Sequence, residues 1–314
     1  MPLDPQAQAF IQQLEAMGAP PLNTLEPAVA REAMAGLGEM GGAPEPVASI
    51  VNRTIPGPLG DIPVRIYTPE GSGPFPIVVY FHGGGWVVGN LETVDPTCTL
   101  LANGAGAVVV SVDYRLAPEH KFPAAAVDCY AATRWAAEHA SEINGDPERV
   151  AVAGDSAGGN LAAVVAAMAR EQGTPKLVFQ VLFCPVTDYN FETQSYRENG
   201  DNYFLTTDMM RWFWGHYLNN DEEGSDWRAS PLRLEDLSGL PPAFVVTAEY
   251  DPLRDEGEAY AERLREAGNV VTLKRYPGQI HDFVTMSGVM SQGKQAIEDT
   301  AALLRQAFGV TATA

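Results

Sequence analysis

The chain has 314 residues, 46% of them hydrophobic, enough to bury the core of one large α/β domain or two ordinary ones. Its 40 acidic against 20 basic residues give a formal net charge of -20. A surface of that sign repels phosphate backbones and anionic headgroups, so neither nucleic acid nor a membrane is expected as a partner.

The amino terminus, "MPLDPQAQAF", lacks the basic and apolar regions of a signal peptide. No run approaches the ~18 apolar residues of a membrane span, and a cytoplasmic protein is expected. Residues 5–17 carry Phe10, Ile11, Leu14 and Met17 at helical spacing. A loose Gly/Pro/Ala-rich segment follows, including "GLGEMGGAPEP" (Gly36–Pro46). Its "GLGEMG" formally matches the dinucleotide fingerprint G-x-G-x-x-G. It follows a helix-like segment and runs into Pro44 and Pro46, so both required flanks are missing and no cofactor is expected.

From about residue 47 the pattern changes. "VASIVNRTI" and "IPVRIYTP" alternate like the arms of a hairpin turning at "PGPLGD". "PIVVYF", "AVVVSVDY", "RVAVAG", "KLVFQVLF", "AFVVTAEY" and "VVTLKRY" then read as short strands buried on both faces. Helical stretches such as "PAAAVDCYAATRWAAEHA" and "NLAAVVAAMAREQG" separate most of them, which predicts a mostly parallel sheet flanked by helices. Residues 186–235 break the rhythm. They are aromatic and acidic, without a valine-rich strand, and read as a helical insertion over the sheet's carboxyl edge, packed with the N-terminal helix.

"RVAVAGDSAGGNLAAVVAAMAR" places Ser156 in G-x-S-x-G, between a strand and a helix. A sharp turn with an exposed side chain at its apex needs small neighbours, which Gly154 and Gly158 supply. The Ala157 N–H, at the first helical turn, would face an incoming oxyanion. A serine hydroxyl needs a base, and the base needs an orienting group. His139 lies on a helical stretch and is expected in solvent; His216 lies in the aromatic insertion and His120 in a proline-bounded loop. His82 precedes three glycines and is expected to anchor their loop. His281, in "YPGQIHDF", falls past the last strand at the sheet's carboxyl edge. Asp251 ends the preceding strand, whereas Asp255 falls in the following helix and Glu249 within the strand. In isolation Asp251 also reads as a helix N-cap.

"VVYFHGGGWVVG" adds Gly83, Gly84 and Gly85, whose backbone can approach a developing O⁻ closely; Gly84 and Gly85 are the expected inward pair. Cys98, Cys129 and Cys184 form no CxxC pair, which fits a reducing compartment and excludes a zinc ribbon; Cys184 has no activating context. No P-loop or H-E-x-x-H is present and no metal is expected.

Through "HGGGW" (His82–Trp86), "DYRLAPEHKFPA" (Asp113–Ala124), "GDSAGGN" (Gly154–Asn160), "DPLRDEG" (Asp251–Gly257) and the segment around His281, the chain resembles the hormone-sensitive-lipase family of carboxylesterases. The resemblance implies an α/β-hydrolase fold. It implies a catalytic body of residues 47–185 and 236–314, under a cap of residues 1–46 and 186–235. It further implies short- to medium-chain acyl esters as small-molecule substrates, Ser156 as nucleophile, His281 as base and Asp251 as its orienter. Gly83, Gly84, Gly85 and Ala157 would supply the oxyanion donors. "HDF" departs from the glycine that often follows this histidine, so Asp282 either raises the His281 pKa or orients substrate. Two other activities share the scaffold: a non-catalytic receptor for a small ligand, which the presence of His281 disfavours, and an amidase or deacetylase with the same triad. Homo-oligomer formation is left open. A base that must be neutral implies activity falling as the pH drops through about 6–6.5.

Overall fold

In the computed structural model, which describes residues 1–310, the valine-rich runs lie side by side in one 8-stranded sheet. The strands are β1 (Ser49–Ile55), β2 (Ile62–Thr68), β3 (Phe75–Phe81), β4 (Val108–Val112), β5 (Gly145–Asp155), β6 (Leu177–Phe183), β7 (Ala243–Tyr250) and β8 (Val271–Ile280). Their spatial order is β1-β2-β4-β3-β5-β6-β7-β8. β1 and β2 form the predicted antiparallel hairpin, and β2 is antiparallel to β4. The remaining pairs are parallel, which brings the carboxyl ends of β3 to β8 to one edge.

Both faces of these strands are covered, which is why they read as unbroken apolar runs. In β3, Ile77, Val79 and Phe81 enter one core while Val78 and Tyr80 enter the other. In β5, Val150 and Val152 alternate in the same way with Ala151 and Ala153.

Helix α1 (Pro5–Met17) starts at Asp4, whose carboxylate accepts from the Gln6 N–H. Helix α2 (Pro27–Ala35) stands where the sequence suggests only a loose segment; its run is short and its flanks rich in Gly and Pro, which masks it. "GLGEMG" closes a tight helical turn directly after α2, with no strand before it. Helix α3 (Asp95–Ala105) also escapes the sequence reading, since its threonines, asparagine and glycine blur the apolar pattern. Helices α4 (Ala124–Glu138) and α5 (Ala157–Gln172) close one face of the sheet, where α8 (Arg254–Glu266) joins them. Helix α3 closes the other with α9 (Ser291–Phe308).

The 186–235 insertion is helical, as predicted. It contains α6 (Gln194–Asn199) and α7 (Thr207–Tyr217), each started by a threonine hydroxyl that accepts a backbone N–H. Phe204 meets Phe10 of α1 edge-on at 5.5 Å. Helix α7 lies across the glycine loop: Trp86 stacks on Tyr217, centroids 4.1 Å apart and planes 5° from parallel, and meets Trp214 at 4.6 Å. Among the described residues no helix is long and apolar enough to cross a membrane.

Trp86 is fully buried at this junction. Trp86→Ala should therefore cost about 3–5 kcal/mol, seen as a lowered urea midpoint, with a smaller loss for Trp86→Phe, which keeps a ring against Tyr217.

Candidate active site

Strand β5 ends at Asp155 and α5 begins at Ala157, so Ser156 alone makes the reversal. Its φ of 54° and ψ of -116° lie in a region that L-residues rarely occupy. The surroundings leave no alternative to glycine at two positions. A Cβ on Gly154 would stand 2.3 Å from the Gly158 carbonyl oxygen, and one on Gly158 would stand 1.9 Å from that of Phe81. The Ser156 N–H donates to the Phe183 carbonyl at 2.8 Å, which holds the turn to β6.

His281 directly follows β8, and Asp251 directly follows β7. The His281 ring spans the two: Nδ1 lies 2.8 Å from Asp251 Oδ2, and Nε2 lies 2.9 Å from Ser156 Oγ. The three residues proposed from sequence therefore meet, all buried. Asp251 also meets its capping alternative, because Oδ1 accepts the Leu253 N–H at 2.8 Å while Oδ2 serves the imidazole. The competing carboxylates are engaged elsewhere: Glu249 accepts the Gly278 N–H, and Asp255 accepts the Ser195 N–H, each at 2.7 Å. Burial pulls the His281 pKa down, but the charge of Asp251 and its hydrogen bond outweigh this, with Asp282 and Asp155 adding, so the net direction is upward from 6.5.

The glycine loop follows His82. Gly84 and Gly85 have φ of 104° and 57°, and a Cβ on Gly85 would stand 2.2 Å from the Phe213 ring. The Gly83 N–H faces the Asp155 carboxyl. The N–H groups of Gly84, Gly85 and Ala157 donate to no protein acceptor among the described residues. His82 anchors the loop as expected. Its Nδ1 lies 2.7 Å from the Gly83 carbonyl oxygen, and its ring stacks on Tyr114 at 4.3 Å. Burial lowers its pKa to about 4, so it stays neutral. His120 is exposed and His216 is half-buried against Trp212. His139 departs from expectation: it is half-buried and stacked on Trp135 at 5.2 Å, because α4 ends there against the sheet.

Several contributors carry no sequence signal of their own. Tyr114, inside "DYRLAPEH", donates its hydroxyl to the His82 carbonyl at 2.7 Å. Arg31 of α2 donates Nε to the Val87 carbonyl and Nη2 to that of Ala117, at 2.8 and 2.9 Å, and pairs with Glu119. Asn160 Nδ2 donates to the carbonyls of Val186 and Ala229, holding both ends of the insertion to α5. Tyr80 donates to Asp155 Oδ1 at 2.7 Å.

Cys184, Asp251 and His281 bring potential metal-ligand atoms within 4.8 Å of one another. Both imidazole nitrogens are already engaged, and burial together with Asp251 pushes the Cys184 thiol pKa well up, so these donors suit the hydrogen-bonded line better than a cation. A cavity of about 50 Å³ opens beside the turn, lined by Gly83, Gly84, Met34, Phe204, Asp155 and Asp282 among others.

Comparison with known proteins places this arrangement. A family described by the alpha/beta hydrolase fold matches residues 78–285. Carboxylic ester hydrolase LipN of Mycobacterium tuberculosis is 44% identical over 291 residues, covering 90% of this chain and 77% of that protein. Carboxylesterase NlhH of the same organism is 48% identical over 255 residues, 80% of each chain. The structure of an ester hydrolase from the metagenome of Lake Arreo, solved with a derivative of bipyridine phosphonate, superposes with a TM-score of 0.94. It is 45% identical, and the match covers 98% of this chain and 99% of that one.

The His281 imidazole should titrate above 6.5 when followed by NMR, and Asp251→Asn should bring the midpoint down, since the substitution removes the charge that outweighs burial.

Proposed function

The chain belongs to the α/β-hydrolase-fold family, in the esterase branch that its motifs resemble, and from there we propose that it is a serine carboxylesterase acting on small-molecule esters. One observation carries the reading: an unbroken line from the Ser156 hydroxyl through the His281 ring to the Asp251 carboxylate, at 2.9 and 2.8 Å.

In the proposed cycle His281 Nε2 takes the Ser156 proton as Oγ attacks the ester carbonyl. Asp251 holds the Nδ1–H and stabilises the imidazolium that forms. The carbonyl oxygen, now an anion, meets the N–H groups of Gly84, Gly85 and Ala157; each such donor contributes roughly 3–4 kcal/mol to the transition state. Gly83 serves the loop through Asp155. The tetrahedral species collapses, the alkoxide leaves with the proton from His281, and an acyl-serine remains. Water then attacks the acyl group while His281 takes its proton, and the reverse transfer frees Ser156 and the carboxylic acid.

We assign residues 1–46 and 186–235 to a cap over the body formed by 47–185 and 236–314. The Phe10–Phe204 contact and the seating of α7 on the glycine loop support this division. The narrow cavity between Met34 and Phe204 supports esters of short to medium acyl chains. The three buried, unpaired cysteines support a reducing, cytoplasmic setting. Because the His281 pKa lies above 6.5, the acid limb of hydrolysis is placed higher than the 6–6.5 of an unperturbed ring.

Ser156→Ala should keep the near-UV circular dichroism of the parent and lose about 10⁶-fold in turnover of p-nitrophenyl butyrate, together with all labelling by a fluorophosphonate. Wild-type turnover in that variant, or an unlabelled parent protein, would overturn the assignment; a receptor on this scaffold would show the second result.

A further inference from the structure

The residue before the serine and the residue after the histidine are both aspartates, and they face each other. The carboxyls of Asp155 and Asp282 lie within hydrogen-bonding reach. Asp155 is buried, and its oxygens already meet the Tyr80 hydroxyl and the Gly83 N–H. Asp282 sits at φ 63°, with its carbonyl fixed by the N–H and hydroxyl of Thr285 and its Oδ1 buried without a donor. Two carboxylate oxygens can approach in this way only with a proton between them. The other titratable groups facing the pair are Tyr80, Tyr114, Cys98, Cys184, Asp251 and His281, of which only His281 can carry positive charge. Burial pushes both carboxyls up, and neighbouring carboxylates add to it.

We propose that Asp155 and Asp282 share one proton and that this carboxylic acid–carboxylate hydrogen bond clasps the histidine loop to the nucleophile turn and the glycine loop. Asp155 is peptide-linked to Ser156 and holds Gly83, while Asp282 is peptide-linked to His281, so one bond fixes three separate segments. Asp282 is thus a positioning residue, and the inference rests on the reading of Ser156 and His281 given above. Removing the shared proton leaves two anions in contact. Their repulsion parts the loops, and turnover falls on the alkaline side.

The test is the pH profile of kcat/KM for wild type, D155N, D282N and the double variant, with His281 titrated by NMR in the Ser156→Ala background. An asparagine at 282 can donate its amide to Asp155 without a proton to lose, so D282N should abolish the alkaline fall. Each single variant retains one negative charge, as the protonated pair does, so the acid midpoint should stay in place. The double variant removes that charge and should lower the midpoint by about one pH unit. The proposal is overturned if D282N keeps the wild-type alkaline fall, or if either single variant lowers the acid midpoint as far as the double does. D282G, which suits the left-handed backbone, gives the same readings should D282N fail to fold. The NMR titration needs no turnover, so failure of the clasp is told apart from failure of the esterase reading, which the Ser156→Ala rate decides.

Discussion

A single left-handed residue between β5 and α5 is the constraint on which the site depends. Holding Ser156 at φ 54° costs of order 1–3 kcal/mol, and the strain persists only because its surroundings overdetermine it. On one side is the centre of the sheet, where β5 is paired with β3 and β6. On the other is a helix whose first residues are small enough to press against the Phe81 carbonyl. A strand and a helix that meet through one residue leave its side chain no direction except outward, over the edge where β7 and β8 also end. The hydroxyl is therefore presented by sterics, before any of its chemical partners is considered.

Those partners arrive from loops that start where strands stop. Asp251 and His281 are each the first residue past a strand, so the register of β7 against β8 sets the separation of carboxylate and imidazole. The ring is then fixed at both nitrogens, which settles its orientation with no freedom left to lose during a reaction. The carboxylates near this ring are separated in duty. Asp251 divides its two oxygens between a backbone N–H and the imidazole, whereas Asp155 leans on a tyrosine and a glycine amide.

What could be read from the sequence was what sterics and strand endings dictate locally. Gly154 and Gly158 announce the turn because no other residue fits there, and the same holds for Gly85 beneath Phe213. Asp251 was separable from Asp255 and Glu249 because its position relative to the end of a strand is visible in the apolar pattern. What escaped depends on distant partners. Tyr80 is 75 positions from the carboxyl that it meets, and Tyr114 is 32 from the carbonyl that it holds. Helices α2 and α3 were hidden by short, weakly patterned runs. The upward direction of the His281 pKa also lay beyond the sequence, because it is the difference between burial and a carboxylate in contact, and both come from packing.

Helix α2 joins two tasks that are easily imagined as separate. Its Arg31 grips the carbonyls of Val87 and Ala117 just past the glycine loop, and one turn further on its Met34 walls the cavity. A helix that moves outward to widen the entrance must drag the Val87 backbone with it, and with Val87 the Gly84 carbonyl that accepts its N–H. Admission of a bulky guest and the aim of the loop amides are mechanically the same coordinate. Selectivity by size in this protein is then enforced twice, once by the wall and again by the misalignment that follows when the wall gives way.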